Sequence, residues 1–300
     1  MSAGRTQARL CAPALLVVLL LTGCGSDDGT SSVAVPASPT APTVSPTAEP
    51  APTAGQSSSE PAAQTEARAA YWLGAAQDPR GPRLYREFEQ RPVGDPAQAV
   101  EDAVDLMLAG EPNDPDYTSL WAFGTELRSI ERDGTTAVVD LSQEATTNGG
   151  GSAFEAMTLQ QLVHTVTAAD PSLTGVRLLV EGQPVETLWG SVGTVQVLTR
   201  APAAETLGPV WLDVQEGSTL GERTFGGTAT VFEATVNWQL MQGGTVVDEG
   251  FSTATIGAPE RGEWEGSTDA PAGDYELWAF ESSARDGSIT WLDTKAVTIS

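Results

Sequence analysis

The sequence predicts an α+β unit, a sheet with two helices on one face, followed by an all-β immunoglobulin-like sandwich. Two stretches of helical spacing fall between residues 95 and 170, interleaved with strand-like runs. From about residue 208 onward only period-two alternation and turn dipeptides occur. Residues 25–66, by contrast, hold no aromatic residue and seven prolines, so no core can form there. With 40% apolar residues and eight tryptophans, the remaining chain has enough material for two cores.

The amino terminus decides the expected compartment. Arg5 and Arg9 form a short basic region ahead of an apolar run from Leu10 to Leu21. Such a run reaches only ~18 Å as a helix, short of a ~30 Å hydrocarbon core, so it reads as a secretory leader. It ends in Leu21-Thr22-Gly23-Cys24, which resembles the bacterial lipobox. The resemblance implies diacylglycerol transfer to the Cys24 thiol, cleavage after Gly23 and acylation of the new amino group. What the resemblance implies is a leader over residues 1–23 and a mature chain held on the outer face of the cell membrane by a lipid at Cys24. Two or three acyl chains, at ~0.8 kcal/mol per buried methylene, make such an anchor effectively permanent. Residues 24–66 read as a Ser/Thr/Pro/Ala-rich tether that reaches at most roughly 130 Å if extended.

Folding signals begin at about residue 67, and the first unit is expected over 67–200. Ala70-Tyr71-Trp72-Leu73 reads as a strand and Arg83 to Val93 as a second. Asp95-Pro96 is a helix start, with Asp as the cap and Pro at the first helical position. Val100, Ala103, Val104, Met107 and Leu108 then recur at helical spacing until Gly110 stops the helix. Leu127–Arg132 and Thr136–Leu141 flank Asp133-Gly134, a hairpin signal. After Gly149-Gly150-Gly151, a second helix carries Leu159, Leu162, Val163 and Val166 on one face and closes at Asp170-Pro171. Val176–Val180 and Pro184–Leu188 complete the unit as a hairpin around Gly182-Gln183.

In the second unit, over 208–300, Thr230, Phe232, Ala234, Val236, Trp238 and Leu240 alternate with polar neighbours. Gly243-Gly244 leads into Val246–Thr253, Asp274–Glu281 is rich in aromatics, and Asp286-Gly287 leads into Ile289–Ile299. Several short strands separated by turn signals are the pattern of an immunoglobulin-like sandwich.

Specific stretches carry a family resemblance. Tyr117-Thr118, Gly124-Thr125-Glu126-Leu127, Ala137-Val138-Val139-Asp140-Leu141-Ser142, Gln161-Leu162-Val163-His164-Thr165 and Val180-Glu181-Gly182-Gln183-Pro184 resemble the GerMN domain of sporulation and germination proteins. Thr230 through Ala234, Gly273 through Leu277, Phe280-Glu281-Ser282-Ser283 and Asp286-Gly287 resemble the immunoglobulin-like module that often follows GerMN. The resemblance implies an extracytoplasmic protein whose first domain is similar to the ring-building motifs of secretion and sporulation channels. It supplies no catalytic residue. His164 departs from the pattern, which commonly has an aromatic residue there.

The formal charge is −25, and removing Arg5 and Arg9 with the leader takes it to −27. Such a surface repels nucleic-acid phosphates and anionic headgroups, which excludes nucleic acid as a partner. The expected partners are the membrane through the lipid, an envelope protein or a second copy of the chain, and alternatively a cell-wall glycan. No cofactor and no metal is expected. Serine hydrolysis lacks a base, because His164 is the single histidine and its helix neighbours include no acid. The protein therefore reads as a binding or assembly module and not as an enzyme.

Three clusters remain open to two readings each. Arg80, Arg83, Arg86 and Arg91 form either a partner-docking patch or a set of strand arginines paired with Glu87 and Glu89. Glu111, Asp114 and Asp116 form either a Ca²⁺ loop or a solvated one; they lack the regular spacing of an EF-hand. Trp238, Trp278 and Trp291 form either a sugar platform or parts of the sandwich core.

Overall fold

A computed structural model of the chain describes residues 64–74 and 81–300. The leader, the Leu21-Thr22-Gly23-Cys24 motif, nearly all of the tether and Arg80 lie outside the described residues.

The first unit opens with two strands, β1 (Thr65–Gly74) and β2 (Leu84–Pro92), paired antiparallel from Thr65↔Pro92 to Leu73↔Leu84. Helix α1 (Pro96–Ala109) begins and ends where its capping residues dictate. Asp95 Oδ1 accepts from the amides of Ala97 and Gln98, both at 2.9 Å, and Gly110 closes the helix in the left-handed region at φ 70°. A short strand, β3 (Tyr117–Thr118), adds to the free side of β1 at Leu73 and Gly74.

The hairpin β4 (Leu127–Asp133) and β5 (Thr136–Leu141) turns at Gly134, whose φ of 62° suits glycine. Helix α2 (Ser152–Ala169) then crosses over to β6 (Gly175–Val180), which runs parallel to β5 from Thr136↔Gly175 to Leu141↔Val180. Parallel neighbours require such a crossover, since a tight turn cannot join them. A two-residue β7 (Gln183–Pro184) closes a second sheet of order β4-β5-β6-β7. Both helices pack on one face of it, where Val104, Met107, Leu159, Leu162 and Val166 meet Val139, Leu141, Val176 and Leu178.

The expected hairpin arm Pro184–Leu188 is not a strand beyond Pro184. Proline has no amide proton to donate to the ladder, so pairing with β6 ends there. Leu188 still reaches the core from a loop.

A larger difference lies on the other side of α2. Its apolar stripe faces the four-stranded sheet as expected, but its polar stripe is buried too, against β1. Thr165 Oγ1 accepts from the Tyr71 amide at 3.3 Å, and Gln161 Nε2 donates to the Tyr71 carbonyl at 2.8 Å. Short of the Leu73–Gly74 pairing with β3, the edge of β1 away from β2 finds hydrogen-bond partners for Tyr71 in helix side chains. A single helix thus serves two sheets, and Thr158, Gln161, His164 and Thr165 are all buried.

The second unit contains β8 (Val210–Leu212), β9 (Ser218–Leu220), β10 (Thr224–Ala229), β11 (Thr235–Gln242), β12 (Thr245–Thr253), β13 (Gly262–Ser267), β14 (Gly273–Ser282) and β15 (Ile289–Ile299). They form two sheets, β13-β10-β8 and β12-β11-β14-β15-β9. Phe225, Val236, Trp238, Leu240, Trp264, Leu277 and Val297 fill the space between them. β8, β9, β10 and β13 carry too few alternating apolar residues to be read from sequence.

The alternation expected from Thr230 starts only at β11. Residues Phe232–Ala234 form one tight turn in which Glu233 (φ 54°) and Ala234 (φ 56°) are left-handed. This turn places Phe232 in solvent at 65% exposure instead of in the core.

In β10, Gly227 lets two strands approach closely. A Cβ there would lie 2.0 Å from the Trp211 carbonyl oxygen. Gly227→Ala is expected to destabilise the protein by about 1–3 kcal/mol, read as a lower urea midpoint, because backbone cannot move aside as a side chain would.

Candidate functional site

Residues Glu60–Ser300 form one compact unit, so the two halves share a core as well as a chain. Trp211, at the start of the sandwich, packs into the cluster that holds Ala70, Trp72, Leu84 and Tyr85 of the first half. Arg261 stacks on the Trp211 ring at 3.9 Å and Arg86 at 5.0 Å, while the Tyr71 ring meets its edge. Arg261 also donates to the Gly208 carbonyl at 2.8 Å and to Thr228 Oγ1 at 2.7 Å. Burial, with Arg86 nearby, brings its pKa down to about 10, so it stays charged near neutrality. Backbone bonds add to the join: the Gly208 amide donates to the Leu84 carbonyl and the Phe88 amide to Gln215 Oε1.

Beside this aromatic contact lies a buried charged cluster. Strand β15 alternates, so Asp293, Lys295, Val297 and Ile299 all point inward. Lys295 is the single lysine of the chain, and its side chain has no solvent exposure. Its Nζ is in direct contact with Asp114 Oδ2, donates to Tyr117 Oη at 2.6 Å and lies 3.3 Å from Asp293 Oδ1. Tyr117 donates in turn to Asp293 Oδ1 at 2.8 Å, and the Leu212 amide donates to Asp293 Oδ2 at 2.6 Å. The loop carrying Asp114 is itself fixed, since the Asn113 and Asp114 amides both donate to the Glu87 carboxylate.

Two carboxylates share one ammonium in this cluster, and burial decides how the protons settle. Desolvation pushes the Asp293 carboxyl up, more strongly than Lys295 pulls it down. Desolvation also works against the Lys295 ammonium, but Asp293 and Asp114 outweigh it and hold its pKa above the ordinary value. Burial likewise raises the Glu87 carboxyl and lifts the Tyr117 hydroxyl well above its usual range. Burial thus holds the Asp293 carboxyl above the ordinary range of an aspartate.

Of the arginines expected as one patch, the three described ones, Arg83, Arg86 and Arg91, do not converge. Arg86 and Arg91 are five apart on β2 and point to opposite faces. Arg86 pairs with Asp213 of the sandwich at 2.5 Å, Arg91 pairs with Glu89 at 2.8 Å, and Arg83 lies over the Trp291 ring at 5.6 Å. Glu87, the other expected partner, turns inward to the 113–114 amides. Two of these arginines thus join the halves of one chain.

The loop weighed as a Ca²⁺ site is also used internally: Asp114 meets Lys295, and Asp116 Oδ2 accepts from Thr294 Oγ1 at 2.7 Å. Among the described residues, no three His, Cys, Asp or Glu side chains are grouped to hold a metal. Nor do the three tryptophans form a platform. Trp238 points into the sandwich, where it is buried, and Trp278, paired one position along, points out.

His164 is buried against the Tyr71 ring, with centroids 5.1 Å apart. Desolvation, then Arg200, lowers its pKa to about 3 from 6.5. Between those values the unfolded chain takes a proton that the folded chain refuses, so stability is full above pH 6.5 and falls as pH drops toward 3. His164→Phe is expected to flatten this acid limb, measured as the urea midpoint against pH.

Sequence reading missed Lys295, Asp293, Trp211 and Arg261. A usable signal existed for the first two: a single lysine and an acid at inward positions of an alternating strand.

Two family models match the chain: sporulation and spore germination (Germane) over residues 69–186, and the immunoglobulin-like domain of bacterial spore germination (Gmad2) over 213–288. None of the curated proteins compared with the chain matches it. Among solved structures, a candidate lipoprotein from Clostridium perfringens is 21% identical, over 45% of this chain and 87% of its own, with a TM-score of 0.33. The tandem GerMN domains of the sporulation protein GerM from Bacillus subtilis are 17% identical, over 63% of this chain and 59% of theirs, at 0.35. The first of those domains alone is 18% identical, over 45% and 98%, also at 0.35. The chain thus carries a stretch matched by the Germane family followed by one matched by the Gmad2 immunoglobulin-like family.

Proposed function

We propose that the protein is a membrane-anchored, extracytoplasmic lipoprotein that acts by binding and assembly in the cell envelope and performs no catalysis. The observation that carries this reading is the pairing of two spore-germination domain types in one chain, joined through a buried contact. A joined pair presents both domains at a fixed distance and angle, which suits a spacer or docking element between envelope proteins. The motif ending in Cys24 supports the anchor, and among the described residues no helix is long and apolar enough to cross a membrane. The partner is an envelope protein or a second copy of the chain.

Two experiments test this. Cys24→Ala is expected to move the protein from the membrane fraction to the medium; retention on the membrane would remove the lipid anchor from the reading. Crosslinking in live cells followed by mass spectrometry is expected to return one recurrent envelope protein or a self-crosslink. A chain that stays monomeric and captures nothing would count against assembly.

A further inference from the structure

We propose that Lys295 Nζ and Asp114 Cγ join in an amide, an intramolecular isopeptide bond that ties the Germane domain covalently to the sandwich. Three facts about the chain point to it. Lys295 is the single lysine among 300 residues, and it is placed where no water reaches it, in contact with a carboxylate 181 positions away. Both cysteines, Cys11 and Cys24, precede the folded unit, so Glu60–Ser300 has no disulfide available as a covalent tie. A third group, Asp293, lies within reach of the amine and is held by Tyr117 and the Leu212 amide.

In water an amine and a carboxylic acid do not condense, because they ionise and the attacking lone pair is lost. The two carboxylates hold the Lys295 ammonium charged, so the reaction depends on a neighbour that can take its proton, and Asp293 lies 3.3 Å from Nζ with its own carboxyl pushed up by burial. Fixing the two groups in contact adds an effective concentration of roughly 10⁵–10⁸ M for well-oriented partners. Exclusion of water also protects the product from hydrolysis.

The step balances with no outside reagent. One proton passes from the Lys295 ammonium to Asp293, which frees the nitrogen lone pair to attack Asp114 Cγ. The new N–C bond forms as one C–O bond breaks. The departing oxygen takes the proton returned by Asp293 and a second proton from Nζ, and leaves as water. The amide nitrogen keeps one hydrogen. Asp293 is thus the general acid–base of its own domain's crosslink. The bond also removes the two charges whose burial is costly, and leaves Asp293 with its hydrogen bonds from Tyr117 and Leu212.

The test is peptide mapping of the full chain, purified in folded form, then denatured and digested with trypsin. The fragments carrying Asp114 and Lys295 are expected as one branched species, lighter than their sum by one water and uncleaved after Lys295. An amine-directed reagent applied to the denatured chain should leave Lys295 unlabelled. Lys295→Arg should return the two fragments separately. Separate fragments from the folded natural chain, with Lys295 fully labelled, would overturn the proposal, as would a water loss confined to the Lys295 fragment. Because the natural chain gives the deciding result, poor folding of a variant does not blur it.

Discussion

Replacing Lys295 by Met is expected to destabilise the protein by about 3–5 kcal/mol, the usual cost of breaking a buried ion pair from one side. The methionine has nearly the volume of the lysine stem, so packing changes little; the loss comes from the stranded carboxylates, and the proposed amide is lost with them. What remains is Asp114 and Asp293, both buried, with no cation between them. The fold can answer only by protonating a carboxyl or by opening the junction to water. A Lys295→Met, Asp114→Asn double variant removes one of the stranded charges and is expected to be more stable than Lys295→Met alone. Urea unfolding of these two variants and of Asp114→Asn alone, beside the natural chain, measures the coupling. If the two changes simply add, Lys295 and Asp114 do not act as a unit.

Trp211→Ala is expected to cost a similar amount, about 3–5 kcal/mol, for a different reason. The indole fills the space between two stacked guanidinium groups and the Tyr71 ring, and it belongs to the first domain's core although it sits on the second domain's strand. Removing it opens a cavity that spans the junction and leaves Arg86 and Arg261, both cations, with nothing between them. The expected signature is a loss of cooperativity as well as stability. Limited proteolysis should begin to cut the connecting segment at residues 199–209, which the natural chain protects by holding the halves together. A variant that loses stability but still unfolds as one unit would show that the charged cluster alone is enough to couple the domains.

Together these substitutions bear on the proposed role. A spacer between envelope proteins must transmit position, which requires the two domains to move as one body. Lys295, Trp211, Arg86 and Arg261 make that joint. Their loss is expected to weaken partner capture in cells even where each domain keeps its own fold.

Local chemistry determined much of the fold, and it was legible in the sequence. Asp95-Pro96 and Gly110 bound α1 because capping involves only neighbours within a turn or so. Asp133-Gly134 and Gly243-Gly244 give hairpins for the same reason, and the stripe Leu159, Leu162, Val163, Val166 already shows which face of α2 meets the larger sheet. The α+β unit, the sandwich after it and their order follow from such patterns.

Only the tertiary structure decided how those parts use their polar residues. Gln161, His164 and Thr165 look like a solvent face until β1 arrives with an unpaired edge. Phe232 sits in an alternating run, yet two left-handed residues after it turn it outward. Arg86 looks available for a partner until Asp213, 127 positions later, takes it. Lys295 and Asp114 are farther apart still. The strength of a charge pair depends on distance and on how much water surrounds it, and neither is a property of neighbouring residues. Secondary structure reflects local geometry and so was fixed early; the joint between the domains depends on long-range contacts, which exist only once the chain has folded.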